Sequence, residues 1–289
     1  MRKHKLKTSI VMILTIILSL NTAVYADTSA VVTLGKDLTK DQKKQMIQVF
    51  GVDQDDVTLI EVNNEEERKY LEGVASEGQL GTRTISSAYV ELLDEGSGIS
   101  VETHNISWVT KSMYESALIT AGVKDAKIIA AAPFPVSGTG ALTGILKAFE
   151  VATGKKISEE QKKVANEEVF QTGELGDAIG QDEAGELMRK VKEMVISQDI
   201  KDAEGIKQAI IQIAGDLNIN LNADQTENMA KLMEKINGLN LDKEQITSQL
   251  KDIGKKLDNV IKNNEEVRTL LQKILDAIKE FFSSFFSKK

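Results

Sequence analysis

Residues 99–133 read ISVETHNISWVTKSMYESALITAGVKDAKIIAAAP, and this stretch decides the fold of the N-terminal half. Its pattern predicts a strand over Ile99–Ile106, a helix over Thr110–Ala121 and an apolar strand over Ala126–Ala132 that Pro133 ends. A helical connection between two strands of one sheet makes them parallel, and the crossover is almost always right-handed. The sequence therefore predicts a β-α-β unit here.

The segments on both sides of this unit continue the alternation of strands and helices. Three further strands and three further helices are predicted, at 31–34, 57–62, 85–93, 39–50, 65–71 and 138–152. The connector over 94–98, with sequence DEGSG, lies between two strand-forming runs. It predicts that 85–93 and 99–106 form a hairpin. Together these elements predict a mixed α/β domain (α+β class) over residues 27–155.

Strand signals disappear after residue 156, and every later segment carries helical spacing. The predicted helices cover 157–170, 182–196, 203–216, 222–236, 242–263 and 265–286. Three glycines between Gly173 and Gly180 make that stretch the weakest point of the helical region. We therefore expect an all-α helical domain over residues 156–263, followed by an amphipathic C-terminal helix over 264–289.

A short pattern recurs at four of the predicted helix starts. An apolar residue precedes a capping side chain and Gln follows the cap three positions later, with caps at Thr39, Ser158, Asn222 and Asp242. The cap accepts a backbone N–H of the first turn, and the Gln side chain reaches back to the N–H of the cap. We interpret the pattern as helix starts rather than as a functional repeat.

The first 26 residues have the order of a secretory signal peptide. Four basic residues precede an apolar run over 10–20, and the stretch ends in Val24-Tyr25-Ala26. The apolar run is too short for a membrane span, which needs about 20 residues. We therefore expect an exported protein, at the cell surface or secreted, that begins near Asp27.

The composition excludes several classes of function. Because the chain has no cysteine, it has no disulfide and no thiolate nucleophile. Its net charge of −8, which loss of the basic leader would make more negative, disfavours nucleic-acid binding. His104 is the only histidine outside the leader, whereas a zinc site needs several His or Cys ligands. We expect no metal and no cofactor.

His104 and Glu102 are the candidate catalytic residues. Strand alternation places them on one face of the same strand, where a carboxylate beside an imidazole can produce a general base. The motifs HExxH and GxSxG are absent from the sequence. We favour the alternative interpretation, in which the two residues belong to an exposed polar strand face.

Two loops form the candidate ligand-binding site. The stretch SGTGALTG over 137–144 follows a strand and opens a helix, where backbone N–H groups can hold anions, although it lacks the Lys-Ser/Thr of a P-loop. The carboxyl ends of parallel strands lie at one edge of the sheet, where open α/β sheets bind ligands. The loops there supply the predicted ligand-binding residues, which are Asn105, Trp108, Ser137, Gly138, Thr139 and Gly140.

The C-terminal helix is a third candidate surface. Half of the eight phenylalanines lie in it, at Phe281, Phe282, Phe285 and Phe286. Such a helix can lie in a membrane interface with its rings among acyl chains and its lysines at the headgroups. The alternative is a terminal helix that packs on the helical domain.

The chain resembles a family of exported bacterial proteins. The resemblance is carried by the strings at 85–87 (ISS), 98–106 (GISVETHNI), 120–126 (TAGVKDA), 132–134 (APF), 137–139 (SGT) and 141–144 (ALTG). They are similar to the YpuA-like family, a domain of unknown function from Bacillus-type and clostridial bacteria. The resemblance implies a Gram-positive extracytoplasmic setting, and it implies no activity, cofactor or catalytic residue.

Together these observations favour a non-enzymatic binding or interaction protein of the cell envelope, whose partner is an unknown envelope component. Two alternatives stay open. One is an extracytoplasmic hydrolase that uses Glu102 and His104. The other is a secreted protein that assembles into homo-oligomers through its helices.

Overall fold

The computed structural model describes residues 30–76 and 80–263. The predicted leader and the predicted C-terminal helix lie outside the described residues. Membrane contact through Phe281, Phe282, Phe285 and Phe286 therefore stays a prediction. No helix among the residues that the structure describes is long and apolar enough to cross a membrane.

The described residues form a five-stranded sheet with helices, followed by a run of helices, so the predicted fold class is confirmed. The strands are β1 (Ala30–Gly35), β2 (Thr58–Val62), β3 (Ser87–Leu92), β4 (Ile99–Ile106) and β5 (Ala126–Val136). The α-helices are α1 (Lys40–Phe50), α2 (Asn64–Leu71), α3 (Lys111–Thr120), α4 (Thr139–Thr153), α5 (Glu159–Ile179), α6 (Gln181–Ser197), α7 (Ala203–Asp216), α8 (Ala223–Gly238) and α9 (Lys243–Asn263). A 3₁₀ turn spans Gln54–Asp56.

Four of the five strands run in the same direction. The order across the sheet is β2-β1-β3-β5-β4. β1 and β2 are parallel, β4 and β5 are parallel, and β3 lies antiparallel between β1 and β5. The predicted β-α-β unit is thus confirmed as β4-α3-β5. The carboxyl ends of β1, β2, β4 and β5 all lie at the same edge of the sheet.

The predicted hairpin of 85–93 with 99–106 is wrong. β3 pairs along its whole length with β5, so β5 separates β3 from β4. The connector still turns, because Gly96 and Gly98 have φ angles of 87° and 72°. Both amides donate hydrogen bonds to the Asp125 side chain, at 3.0 and 2.8 Å. These bonds hold the turn against the start of β5, and no hairpin forms between β3 and β4.

The prediction that Pro133 ends the last strand is also wrong, because β5 continues to Val136. β3 pairs with β5 only as far as Ala131. Pro133 and Pro135 therefore lie beyond the end of β3, where no β3 carbonyl needs an N–H donor from β5. A proline, which lacks an N–H donor, is tolerated in a strand at such a position. The pairing with β4 resumes after a bulge, where Val136 lies opposite Ile106.

Helices cover both faces of the sheet. α1 packs on one face, where Met46 and Phe50 join the buried side chains of Val32 and Tyr89. α3 and α4 cover the other face, and α5, α6 and α9 pack in turn against α3. α7 and α8 pack on α6 and on each other. One continuous core therefore contains side chains of the sheet and of the later helices.

The helix predicted over 157–170 extends to Ile179, through Gly173 and Gly176. The indole of Trp108 lies directly on Gly173, where a Cβ atom would come within 2.3 Å of the ring. The glycine therefore permits close packing and does not end the helix. The break between α5 and α6 falls at Gly180, whose φ is 104°.

The capping interpretation is confirmed at all four predicted helix starts. At each of them, the side chain of the cap accepts a hydrogen bond from the backbone N–H of the Gln three positions later. At Thr39, Ser158 and Asn222, the Gln side chain also accepts from the N–H of the cap. These boxes satisfy backbone donors that would otherwise lack partners at the start of α1, α5 and α8.

Candidate functional site: the carboxyl edge of the sheet

The loops that follow four strands meet at one edge of the sheet. We call this surface the carboxyl edge, and it consists of the segments 35–38, 63–67, 105–109 and 132–140. The amides of Ser107 and Val109 donate to the carbonyls of Val136 and Ser137, at 2.9 and 3.0 Å. These bonds bring the two predicted ligand-binding loops side by side.

Gly138 joins β5 to α4. Both its backbone conformation and the close packing around its Cα favour glycine at this position. Its φ is 96°, in the left-handed region that side chains disfavour. A Cβ atom here would lie 2.4 Å from Cγ2 of Ile106 and 2.6 Å from the hydroxyl of Tyr114. That hydroxyl is fully buried and donates a 2.5 Å hydrogen bond to the Gly138 carbonyl. Burial raises the pKa of Tyr114, so the phenol remains a donor.

Glu67 is a candidate functional residue that the sequence analysis missed. It lies on α2, and its carboxyl group rests against Gly140 in the first turn of α4, where a Cβ atom would be 2.4 Å from Oε1. Burial raises the pKa of Glu67 to about 7, and the charges of Asp37 and Glu66 act in the same direction. A largely enclosed carboxyl group whose pKa is raised toward neutral pH is typical of functional sites.

Hydrogen bonds between side chains and backbone groups hold the loops around Glu67 together. Oδ2 of Asp37 accepts a 2.8 Å hydrogen bond from the amide of Thr84. Nδ2 of Asn64 donates a 2.9 Å hydrogen bond to the carbonyl of Gly81. The segment before β3 is thereby tied to the loop after β1 and to the start of α2. Glu67 is enclosed by segments that are far apart in sequence.

Asn105 and Trp108 both make contacts that shape the carboxyl edge. Asn105 lies in β4 opposite the bulge of β5 with a φ of 58°, and its side-chain amide donates to the carbonyl of Ala132 at 2.9 Å. Nε1 of Trp108 donates to Oδ1 of Asp177 at 2.8 Å, and its ring packs on Phe170 with the centroids 5.9 Å apart. Asn105 thus stabilises the bulge, and Trp108 holds α5 against the edge.

The predicted residues of the second loop lie together at the start of α4. Ser137 is exposed, and its hydroxyl lies 3.4 Å from that of Thr139. Gly138 is buried and Gly140 lies under the carboxyl group of Glu67. The structure therefore brings this loop next to Asn105 and Glu67, and its role in ligand binding stays a prediction.

Phe134 is a second edge residue that the sequence analysis missed. It lies between Pro133 and Pro135, in the part of β5 that bulges away from β4, and it is 43% exposed. The two prolines restrict the backbone on both sides of the ring. An exposed aromatic ring on a restricted backbone, beside the polar loops of the carboxyl edge, is a candidate contact for a partner.

Glu102 and His104 lie on β4, which is an outer strand of the sheet. Both side chains are exposed on the same face, as strand alternation predicts. The described residues contain no group of three or more side chains that could hold a metal ion. A catalytic role of Glu102 and His104 stays a prediction.

Comparison with known proteins places the chain in a family. A family model described as "Protein of unknown function (DUF1002)" matches residues 34–253, from β1 into α9. The chain belongs to this family. It is also 41% identical over 247 residues to the "Uncharacterized protein YpuA" of Bacillus subtilis (strain 168), which covers 85% of this chain and 84% of the relative. The resemblance to the YpuA-like family is thus confirmed.

No solved structure matches the chain. The descriptions of the family and of the Bacillus subtilis relative name no activity, ligand or partner. Function must therefore be inferred from the carboxyl edge itself.

Proposed function

We propose that this protein is an exported, non-enzymatic binding protein of the cell envelope that recognises its partner with the carboxyl edge. The convergence of four strand-following loops around Glu67 and Gly138 carries this proposal. Open α/β sheets bind ligands at this edge. Phe134 and Ser137 add an exposed ring and an exposed hydroxyl to the same surface.

Export is supported by the order of charged, apolar and small residues over 1–26. A chain without cysteine is compatible with a bacterial envelope. An acidic protein is repelled by anionic wall polymers at long range, so recognition would depend on short-range contacts. The exposed ring of Phe134 can make such contacts.

Co-sedimentation of the full chain with insoluble Gram-positive cell-wall material tests this proposal. We expect Phe134→Ala to weaken binding about tenfold, because loss of one interface aromatic commonly costs more than about 1 kcal/mol. Ile211→Ala is the matched control, since Ile211 is 62% exposed on α7, outside the carboxyl edge. Equal binding of the two variants would contradict the proposal.

The same wall material separates a binding protein from the hydrolase alternative. A hydrolase would release soluble fragments over time, and that release would be abolished by Glu67→Gln or by Glu102→Gln with His104→Ala. A binding protein would release none, and these substitutions would at most weaken its binding. Release that depends on any of the three side chains would therefore overturn the proposal.

A further inference from the structure

A second surface lies beside the carboxyl edge, with which it shares Glu66, between α2, α4 and the start of α5. It is a cavity of about 530 Å³. Four lysines line it from different sides: Lys69 on α2, Lys147 on α4, Lys156 in the following loop and Lys162 on α5. We propose that this cavity, which we call the lysine cavity, binds a phosphate ester of a hydroxylated alcohol.

The charges of the lysine cavity favour an anion despite the acidity of the chain. Its lining contains four ammonium groups and only two carboxylates, those of Glu66 and Glu150. A third carboxylate, that of Glu159, lies beside it and pairs with Lys69 and Lys162. Hydrogen bonds from these two lysines lower the pKa of Glu159 to about 2, and with this carboxylate counted the four ammonium groups still outnumber the carboxylates by one.

The lysines keep donors for a ligand. An ammonium group has three N–H donors. Lys147 uses two of them, for the Glu61 carbonyl and the Glu66 carboxylate, and Lys162 uses two, for Glu150 and Glu159. Lys156 is 89% exposed, and its nitrogen is 4.0 Å from Glu150, beyond hydrogen-bond distance.

One residue of the lysine cavity, Thr143, has a buried hydroxyl without a partner among the described residues. Thr143 lines the cavity and is 5% exposed, and its hydroxyl makes no hydrogen bond in the described part of the chain. Buried hydroxyl groups nearly always have a partner, because desolvation without one is costly. Rotation of the Thr143 side chain toward the cavity would let a ligand oxygen satisfy this hydroxyl.

The donor set selects phosphate rather than carboxylate. Arginine matches a planar carboxylate with two parallel hydrogen bonds, whereas lysine acts as a point charge. No arginine lines the lysine cavity, and its lysines approach from three helices and a loop. A tetrahedral phosphate can accept from several directions at once. The volume left over, with Tyr70, Glu66 and Glu150 as acceptors, suits an alcohol with hydroxyl groups.

Titration of the full chain with glycerol phosphate at constant ionic strength tests this proposal, with calorimetry or phosphorus NMR as the readout. We expect saturable binding that Lys156→Met and Thr143→Val each weaken at least threefold. Lys155→Met is the matched control, because Lys155 is an exposed neighbour that does not line the cavity. Thermal unfolding of each variant checks that the fold is retained.

Three results would overturn the proposal: no saturable binding, an equal loss in Lys155→Met and Lys156→Met, or equal affinity for acetate. Vesicles that contain phosphatidylglycerol distinguish the two sources of the phosphate group. Retention on these vesicles that Lys156→Met abolishes would indicate a lipid headgroup, and binding of glycerol phosphate alone would indicate a free ester. Both outcomes support the cavity, and the two substitutions that test it, at Lys156 and Thr143, lie outside the carboxyl edge.

Discussion

Glu67 makes the stability of the chain depend on pH. Burial raises its pKa from the usual 4.5 to about 7 in the folded state. Between these values the folded state binds more protons than the unfolded state, so the free energy of unfolding decreases as pH rises. The loss is complete above the folded pKa. For a shift of this size it amounts to at most about 3 kcal/mol.

Replacement of Glu67 by Gln keeps the shape of the protonated carboxyl group and removes the charge. We expect this variant to be more stable than the native chain by about 1–3 kcal/mol at pH 8 and nearly equal to it at pH 4.5. Urea unfolding at the two pH values measures the difference. Glu65→Gln, an exposed position on the same helix, is the control. A gain of equal size at both pH values would refute this assignment.

The sequence could not indicate Glu67 as a site residue. It is the last of three consecutive glutamates at the start of a short helix, where acidic residues are common. Its burial depends on Gly140 and on the segment near Thr84, which approach it only in the folded chain. His104, by contrast, is conspicuous in the sequence as the only histidine outside the predicted leader, and it lies on an exposed strand face.

At the scale of elements, α5 shows why glycine content alone is a poor guide to helix ends. Gly173 lies under Trp108, so we expect Gly173→Ala to destabilise the fold by about 1–3 kcal/mol through overpacking. Helix propensity alone predicts a gain of about 1 kcal/mol. Gly215→Ala is the control, because nothing lies within 4 Å of its added Cβ. Thermal and urea unfolding compare the two.

If both substitutions were stabilising, the close packing of Trp108 on Gly173 would not hold in solution. If both were destabilising, the loss could not be assigned to the indole. Only opposite signs support the contact.

The elements themselves could be predicted, whereas the place of β3 could not. Local periodicity and turn residues indicate all five described strands and all nine described α-helices, though not the 3₁₀ turn, and the β4-α3-β5 unit follows from connection rules. Strand alternation does not say which strand is the neighbour. The glycine-rich connector suggested β4 as the partner of β3, but the apolar β5 is buried between them. An inner position suits β5, whose residues are apolar on both faces.

At the scale of the whole molecule, a buried ion pair joins the sheet-covering helix α3 to the helical region. Lys192 on α6 donates to the carboxylate of Glu168 on α5 at 2.7 Å. Ser116 and Thr120 on α3 donate to the same carboxylate at 2.6 and 2.5 Å. All four residues are at most 2% exposed. The network crosses the predicted domain boundary near residue 155, which itself stays a prediction.

Because α3, α5 and α6 share this network and one core, we expect the described part of the chain to unfold in a single transition. Lys192→Met would leave the Glu168 charge buried and unpaired, which typically costs about 3–5 kcal/mol. Lys190→Met is the control, because Lys190 is 39% exposed and pairs loosely with Glu186 at 3.5 Å. An exposed pair of that kind contributes at most about 1 kcal/mol.

Urea unfolding, followed by far-UV circular dichroism and by Trp108 fluorescence, measures both effects. Trp108 reports on the contact between the carboxyl edge and α5, whereas the far-UV signal reports on all helices. A single cooperative unit predicts that the two unfolding curves coincide. It also predicts that both midpoints shift to lower urea concentration in Lys192→Met but not in Lys190→Met. Two separated curves would instead mean that the α/β part and the helical part unfold independently. In that case the shared core would not couple them.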